Sequence, residues 1–172
     1  LDVFLATCLV VPVLPHGRVV SIVYDVTPLR LPTFFPDRES FRRRMARVIQ
    51  RSAAVVAISE RTRQDVLELF QADAERIRVI YPGRNERFRP LPGPDATRIA
   101  KRYGIQGRYV LYVGALSPHK NVTTLLHAYQ QARLHNGLEA TLVLIGSHRW
   151  GQELLSTLSS LPIRGDVILT GH

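Results

Sequence analysis

Cysteine is almost absent from this chain of 172 residues, because Cys8 is the only one. A single cysteine cannot form an internal disulfide, and it cannot supply a metal site made of several thiolates. The chain also lacks any apolar run near the roughly 18 to 20 residues that a membrane-spanning helix needs. Its most apolar stretch, residues 1–14, is interrupted by Asp2 and Pro12 and lacks the basic start of a signal peptide. We therefore predict that this stretch is a buried strand.

Lysine is scarce as well, since only Lys101 and Lys120 are lysines among the 23 basic residues. The chain has 14 acidic residues, so its formal net charge is +9. A balance this basic favours anionic partners such as phosphorylated substrates, nucleic acids or an anionic membrane face. We do not expect nucleic-acid binding, because no zinc-finger spacing and no aromatic-basic RNA motif accompanies the charge. Hydrophobic residues make up 45% of the chain, which excludes an intrinsically disordered protein.

Six of the arginines lie between Arg38 and Arg51, and Glu39 is the only acid among them. The apolar residues of this segment recur at helical spacing, at Phe41, Met45, Val48 and Ile49. The pattern predicts a basic amphipathic helix. Its arginine face is either simply solvated or in contact with a membrane surface or an anionic substrate. Phe34 and Phe35, just before it, either pack in the core or insert at a lipid interface.

Short apolar runs alternate with helical patterns along the first half of the chain. Residues 19–24 are nearly continuous in β-branched side chains, which indicates a strand buried on both faces. The three prolines of residues 25–36 predict a loop. The patterns that follow the basic helix predict a strand at residues 53–58, a helix capped by Ser59 that runs through Phe70, and a strand at residues 76–81.

Proline and glycine cluster between Pro82 and Pro94, which is the composition of a linker. We predict one domain over residues 1–83, a hinge over residues 84–94 and a second domain over residues 95–172. The second domain continues the alternation, with helices at residues 95–103, 121–134 and 152–161 and strands at residues 109–113, 141–145 and 167–170. Strands that alternate with helices predict parallel sheets and an α/β fold class.

A glycine ends each of the three strands of the second domain, at Gly114, Gly146 and Gly171. In open parallel sheets, ligands collect beyond the carboxyl ends of the strands. A glycine at that point lets the backbone turn sharply or lets a ligand approach it closely. Each glycine alone is explained equally well by a tight turn, and their recurrence favours an edge that binds a ligand.

Residues 114–121 join a buried strand to the start of a helix and contain Lys120. Free N–H groups and the positive end of the helix dipole favour an anion there, and an ammonium group adds a full charge. The segment lacks the glycine spacing of a nucleotide P-loop, and the chain has no Gly-x-Gly-x-x-Gly motif. We predict that Lys120 contacts a phosphate group; the other interpretation is an ordinary solvated lysine.

The pattern from Val113 to Ala128, strand-Gly-x-x-x-Pro-x-Lys-Asn-Val-x-x-Leu-Leu-x-Ala, resembles one known family. It is similar to the start of the donor-binding domain of retaining, GT-B-fold glycosyltransferases of family 4, also called glycosyl transferases group 1. Further segments stand in the family's order: residues 2–4, residues 20–28, residues 57–60 with Asp65, residues 79–83 with Phe88 and Pro90, residues 142–146 and residues 167–171. The resemblance therefore extends over nearly the whole chain.

The resemblance implies a GT-B architecture of two Rossmann-like parallel-sheet lobes, both incomplete in this chain. The N-terminal lobe would hold the acceptor and the C-terminal lobe a nucleotide-sugar donor, without a cofactor or an obligatory metal. The implied reaction transfers the sugar to an acceptor hydroxyl with retention at the anomeric carbon, and fixed positive groups stabilise the diphosphate that leaves. The implied donor-binding residues are Gly114, Ala115, Lys120, Asn121, Gly146 and Ser147. The implied residues of the acceptor-side cleft are Tyr24, Asp25, Thr27 and Ser59, and no catalytic residue is identified.

Three positions depart from the family pattern. Many members have arginine where this chain has Ala115, a His-Asp pair where it has Tyr24 and Asp25, and histidine where it has Leu5. Tyrosine donates a hydrogen bond but carries no positive charge. Asp25 either caps the following loop or faces the cleft, and Ser59 either caps a helix or contacts substrate.

The paired-glutamate motif of the family belongs to the second half of the C-terminal domain, and the chain ends before it. Because the sequence also begins at Leu1, we expect the middle of an enzyme, inactive by itself. The alternative is a non-catalytic module that binds a sugar nucleotide or phosphate. The expected partners are a nucleotide-sugar donor, a carbohydrate or lipid-linked acceptor and, peripherally, an anionic membrane. The expected location is the cytoplasm, in part at the inner face of the membrane.

Overall fold

The computed structural model describes residues 2–12, 16–147 and 152–171. It divides into two units, Leu1–Phe88 and Arg89–His172, each built around its own parallel sheet. The division falls inside the segment that the sequence predicts as a hinge. Strands joined by helices in both units confirm the predicted α/β class.

The described part of the first unit contains four parallel strands that neighbour one another in sequence order: β1 (Val3–Ala6), β2 (Arg18–Val23), β3 (Ala54–Ala57) and β4 (Ile77–Val79). Three helices accompany them: α1 (Thr27–Arg30), α2 (Arg38–Arg51) and α3 (Glu60–Phe70). Side chains of the sheet and of the two longer helices share one core, including Val23, Met45, Val55, Val66 and Ile77. Because all four strands are parallel, the segments that follow them emerge at one edge of this sheet.

The predicted buried strand over residues 1–14 is wrong over most of its described length. Only Val3–Ala6 is a strand, residues 7–12 are irregular, and residues 1, 13 and 14 lie outside the described part of the chain. β1 pairs with β2 on one side only, and Val3 and Leu5 are each 54% exposed. An outer strand of the sheet lacks the cover that an inner strand receives from neighbours on both sides. β2 also differs from the prediction, since it buries alternate residues rather than both faces.

Residues 25–36 form two short helical segments where the sequence predicts a loop. They are α1 and a 3₁₀ turn at Pro32–Phe34, and each has a proline in its first turn. A proline is well accommodated there, because its missing N–H would have had no partner within the helix. Asp25 supports α1, since its Oδ1 accepts a hydrogen bond from the backbone N–H of Thr27 at 2.8 Å.

Two helix predictions for the first unit are confirmed. α2 spans the predicted residues and buries its apolar side, at Met45, Val48 and Ile49. Ser59 is the N-cap of α3, because its Oγ accepts a hydrogen bond from the backbone N–H of Thr62 at 3.1 Å. α3 ends at Phe70, as predicted.

Ion pairs hold α1 against α3. Arg30 contacts the buried carboxylate of Asp65, with 2.9 Å between Nε and Oδ1, and also forms two contacts with the carboxylate of Glu68. Arg61 reaches Asp65 from the preceding turn, with 3.0 Å between Nη2 and Oδ1. The Arg30 guanidinium lowers the pKa of Glu68 below its ordinary value of 4.5, by hydrogen bonding and then by charge.

The pH dependence of stability should reveal this contact. A carboxyl group with a lowered pKa in the folded state stabilises the fold above its unfolded pKa and stops doing so as pH falls through its folded pKa. We expect Glu68→Gln to be less stable than the parent chain at neutral pH, and the difference to shrink as pH falls below the ordinary value of 4.5 and to vanish once pH has fallen through the lowered folded pKa. Urea unfolding midpoints measured across this pH range test the prediction. Glu75→Gln is the control, since Glu75 forms none of the ion pairs in the described ranges; a constant difference for Glu68→Gln would contradict the argument.

Among its described residues, the second unit contains three parallel strands, also in sequence order: β5 (Tyr109–Val113), β6 (Thr141–Ile145) and β7 (Val167–Gly171). Its helices are α4 (Gly93–Arg102), α5 (Val122–His135) and α6 (Gln152–Ser160). α4 begins two residues earlier than predicted, inside the segment assigned to the hinge. The central strand β6, α5 and α6 contribute most of the core, including Leu126, Leu142, Leu144 and Leu158.

The strand before Gly114 is not buried, contrary to the prediction. Tyr109 is 50% exposed and Val113 is 68% exposed, whereas the middle residues of β6 are fully buried. β5 pairs only with β6 in the described sheet, so one of its sides has no neighbouring strand. The apolar composition of β5 predicts a strand correctly, but burial depends on what packs beside it.

Candidate functional site

The four residues predicted for the acceptor side lie at the carboxyl edge of the first sheet. Tyr24 and Asp25 follow β2, Thr27 begins α1, and Ser59 follows β3. Thr62 links two of these segments, because its hydroxyl donates to the backbone oxygen of Tyr24 at 3.1 Å and its backbone N–H donates to Ser59 Oγ. The structure therefore brings the predicted residues to one edge of the sheet.

Ser59 caps α3, and Asp25 closes an Asx turn just before α1. Asp25 uses one carboxylate oxygen for the N–H of Thr27, and Ser59 uses its hydroxyl oxygen for α3. Tyr24 is 50% exposed, and Asp25 is exposed beside it. Its contact with an acceptor stays a prediction, as does any further role for Asp25, Thr27 and Ser59.

An open cavity of about 250 Å³ lies at the carboxyl edge of the second sheet. Its lining consists of Val113, Gly114, Ala115, Ile145, Gly146 and Ser147. The structure thus brings together four of the six predicted donor-binding residues, from the ends of two neighbouring strands. Lys120 and Asn121 are not part of this lining; they stand at the far end of the loop that Gly114 begins.

Backbone contacts between two glycines shape the cavity. The N–H of Gly114 donates to the oxygen of Ile145 at 2.9 Å, and the N–H of Gly146 donates to the oxygen of Gly171 at 2.9 Å. A Cβ atom on Gly146 would overlap the backbone oxygen of Gly114. The close approach of two strand ends therefore requires a glycine at position 146. From the sequence alone, a sharp turn of the backbone and the close approach of a ligand explained this glycine equally well.

Two neighbouring side chains were missed by the sequence analysis. The Tyr112 hydroxyl donates to the backbone oxygen of Ala115 at 3.0 Å, and burial raises the pKa of this phenol, so it stays neutral. Ser117 is 6% exposed, and its Oγ has no hydrogen-bond partner in the part of the chain that the structure describes. Neither residue carried a signal in the sequence, because both contacts depend on the fold of the loop.

The segment that contains Lys120 is a 3₁₀ turn, Pro118–Lys120, that leads directly into α5. Asn121 joins the two with a left-handed backbone (φ 54°), and its Oδ1 accepts from the Thr124 hydroxyl at 2.8 Å rather than from a backbone N–H of the helix. The first N–H groups of α5 are therefore not capped by this side chain. Lys120 is exposed and forms none of the ion pairs found among residues 2–12, 16–147 and 152–171.

Neither a metal-binding group nor a membrane-spanning helix is found in the same three ranges. No group of three or more histidine, cysteine, aspartate or glutamate side chains in them is placed to hold a metal ion. No helix in them is both long enough and apolar enough to cross a bilayer.

Comparison with known proteins finds a family that is similar to the first unit. The model of Glycosyltransferase Family 4 matches residues 5–88, which are almost all of that unit. The first unit is similar to glycosyltransferase family 4. The O-antigen chain mannosyltransferase B of Escherichia coli is 26% identical over 148 residues, which are 83% of this chain and 39% of that protein. The chain thus spans about two fifths of the length of this relative.

Solved structures resemble both units of the chain. The crystal structure of HepE from Anabaena in complex with UDP-glucose matches with a TM-score of 0.73 and 21% identity, over 90% of this chain and 42% of that one. A glycosyltransferase from Rickettsia africae matches with a TM-score of 0.69 and 15% identity, over 99% of this chain and 46% of that one. These likenesses, with the two parallel sheets, confirm the predicted GT-B fold class.

Proposed function

We propose that the protein is a glycosyltransferase that moves a sugar from a nucleotide-sugar donor to an acceptor hydroxyl, with retention at the anomeric carbon. The observation that carries the proposal is the cavity at the carboxyl edge of the second sheet, walled by the backbone at Gly114 and Gly146. The similarity of the first unit to family 4 supports it. So do the name of the mannosyltransferase relative and the UDP-glucose held by HepE, whose fold is similar.

Two positively charged features of the second unit, the start of α5 and Lys120, suit the binding of a diphosphate. Backbone N–H groups at the start of α5 and the ammonium group of Lys120 stand at the end of the loop that begins at the cavity. A helix N-terminus and a cation together favour a phosphate group. When the bond from the sugar to the diphosphate breaks, the leaving group gains negative charge, and fixed positive groups lower the barrier by stabilising it. Lys120 is the residue to which we assign this contact.

The acceptor side of the proposal rests on the first unit. The exposed ring of Tyr24 and the hydroxyl of Thr27 stand at the carboxyl edge of its sheet and suit a ligand with many hydroxyl groups. We assign a carbohydrate or a lipid-linked carbohydrate as acceptor, at the cytoplasmic face of a membrane. No bound metal or cofactor enters this proposal.

Calorimetric titration of the purified chain with UDP-, GDP- and ADP-sugars tests the donor assignment. We expect one nucleotide class to bind, and Lys120→Ala to weaken that binding by about tenfold to a hundredfold, because a hydrogen bond to a charged group contributes about 1.5–3 kcal/mol. Lys101→Ala is the matched control: it removes the same charge from the other lysine, which is exposed on α4. We expect this variant to bind the donor like the parent chain.

Three results would contradict the proposal. Equal losses for the two lysine variants would mean that only net charge matters. Binding of inorganic pyrophosphate as tightly as any nucleotide sugar would favour the non-catalytic phosphate-binding module. Inversion at the anomeric carbon of a transferred sugar, measured by nuclear magnetic resonance, would overturn the assignment of retention.

A further inference from the structure

The side chain of Tyr112, on β5, is held in place by the core of the second unit. The residue is half-buried and packs against the core cluster that includes Leu126 and Leu144. Burial raises the pKa of its phenol, so the hydroxyl keeps its proton near neutral pH. Tyr112 therefore offers a hydrogen-bond donor on a ring whose position the core fixes.

This side chain contacts two residues that line the cavity at the carboxyl edge of the second sheet. Its hydroxyl donates to the backbone oxygen of Ala115 at 3.0 Å. Its ring lies against Gly114, because a Cβ atom there would be 3.0 Å from the hydroxyl oxygen and 3.3 Å from Cζ. Gly114 and Ala115 line the cavity, whereas Tyr112 does not. Tyr112 can thus act on the cavity only through these two residues.

The phenol adds a third bond to the loop that Gly114 begins. The N–H groups of Gly114 and Leu116, on either side of Ala115, donate to backbone oxygens at and just after the end of β6, at 2.9 and 3.1 Å. Among the described residues, the Tyr112 hydroxyl is the only hydrogen-bond partner of Ala115 itself. Without this hydroxyl, the part of the loop that lines the cavity would be held only at its two ends.

We propose that Tyr112 is a positioning residue for the nucleotide-sugar donor: its hydroxyl fixes the cavity wall at Ala115 before the donor binds. A loop that is ordered before its ligand arrives loses little conformational entropy on binding, so the ligand binds more tightly. Support of this kind, from a side chain that packing holds in place, is what a precise binding site requires. This role deepens the proposed function and rests on it only for the identity of the ligand.

Tyr129, on α5, provides a matched control within the same unit. Its hydroxyl donates to the backbone oxygens of Ala140 at 2.7 Å and of Asp166 at 3.2 Å, which directly precede β6 and β7. These oxygens stand at the amino edge of the sheet, opposite the cavity. Tyr129 is 4% exposed, so Tyr129→Phe leaves two acceptors without this partner and should lower stability more than Tyr112→Phe does.

Calorimetric titration of both variants with UDP-, GDP- and ADP-sugars tests the role of Tyr112. Tyr112→Phe should bind the preferred donor about threefold to tenfold more weakly, in keeping with the net contribution of one hydrogen bond. Tyr129→Phe should bind it like the parent chain, although its urea unfolding midpoint should be the lower of the two. If Tyr112 only stabilised the fold, donor affinity would follow the unfolding midpoint in both variants.

Amide hydrogen exchange tests the same contact without any donor. In Tyr112→Phe, the N–H of Leu116 should exchange about threefold to tenfold faster, because the loop opens locally more often. The N–H of Leu144, in the fully buried middle of β6, should exchange at the parent rate. Tyr129→Phe should give the opposite pattern, since it weakens the unit as a whole rather than the loop.

Any of three results would overturn the positioning role. They are equal losses of donor affinity in the two variants, donor binding by Tyr112→Phe as tight as by the parent chain, and an unchanged exchange rate of Leu116 in Tyr112→Phe. If the parent chain bound none of the sugars, the proposed function would fail. The exchange rate of Leu116 alone would then decide whether Tyr112 holds the loop.

Discussion

Gly146→Ala is expected to destabilise the second unit by about 3 kcal/mol or more, which is the upper range for overpacking a closed site. The added methyl group would overlap the backbone oxygen of Gly114. A flexible side chain could rotate away from such a clash, but the clashing atom belongs to the backbone, and the neighbouring N–H of Gly114 is bonded to the oxygen of Ile145. The strand ends would have to separate, and the hydrogen bond from the Gly146 N–H to the Gly171 oxygen would weaken.

Urea unfolding followed by circular dichroism measures this loss, and hydrogen exchange of the β6 amides assigns it to the second unit. Gly165→Ala is the control, because nothing lies within 4 Å of a Cβ at that position. Its stability should stay within about 0.5 kcal/mol of the parent chain. If Gly146→Ala changed the free energy of unfolding as little as Gly165→Ala, the folded protein would not have the close approach of strand ends that shapes the cavity.

Leu126→Ala is expected to cost about 3–4 kcal/mol, within the range found for truncating buried leucines. Leu126 is fully buried at the centre of the core that α5 shares with β6 and α6. Its removal loses apolar burial and leaves a cavity that neighbours such as Leu142 and Leu144 can fill only in part.

Leu134→Ala on the same helix is the matched control, since Leu134 is 51% exposed. The same chemical change should then cost less than about 1 kcal/mol. Urea unfolding midpoints of the two variants give the comparison. Similar losses at both positions would contradict the argument that burial of Leu126 in the core determines its contribution to stability.

Structural features that depend only on a few neighbouring residues were predicted well from the sequence. Ser59 caps α3 because a hydroxyl in front of a helix accepts one of its free N–H groups, and that depends on three residues. The spacing of Met45, Val48 and Ile49 in α2 is likewise a local property. The loop predicted at residues 25–36 failed because a proline that interrupts a helix elsewhere is favourable in its first turn.

Burial was predicted less well, because it depends on residues distant in sequence. Val3, Leu5 and Val113 are apolar and lie in strands, yet all are exposed, since β1 and β5 are the outer strands of their described sheets. The ion pairs of Arg30 with Asp65 and Glu68 join positions more than 30 residues apart, and no local sequence pattern predicted them. The contact of Lys120 with a phosphate stays a prediction.

The amino-acid sequence alone determined the α/β class, the likeness to family 4 and the positions of most strands and helices, because periodicity, capping and turn composition act over a few residues. The tertiary structure alone decided which strand ends meet. It placed Gly146 against Gly114 and gathered the ends of β5 and β6 around one cavity. The physical reason is that sheet register and the side-by-side packing of strands arise only when segments far apart in the chain come together.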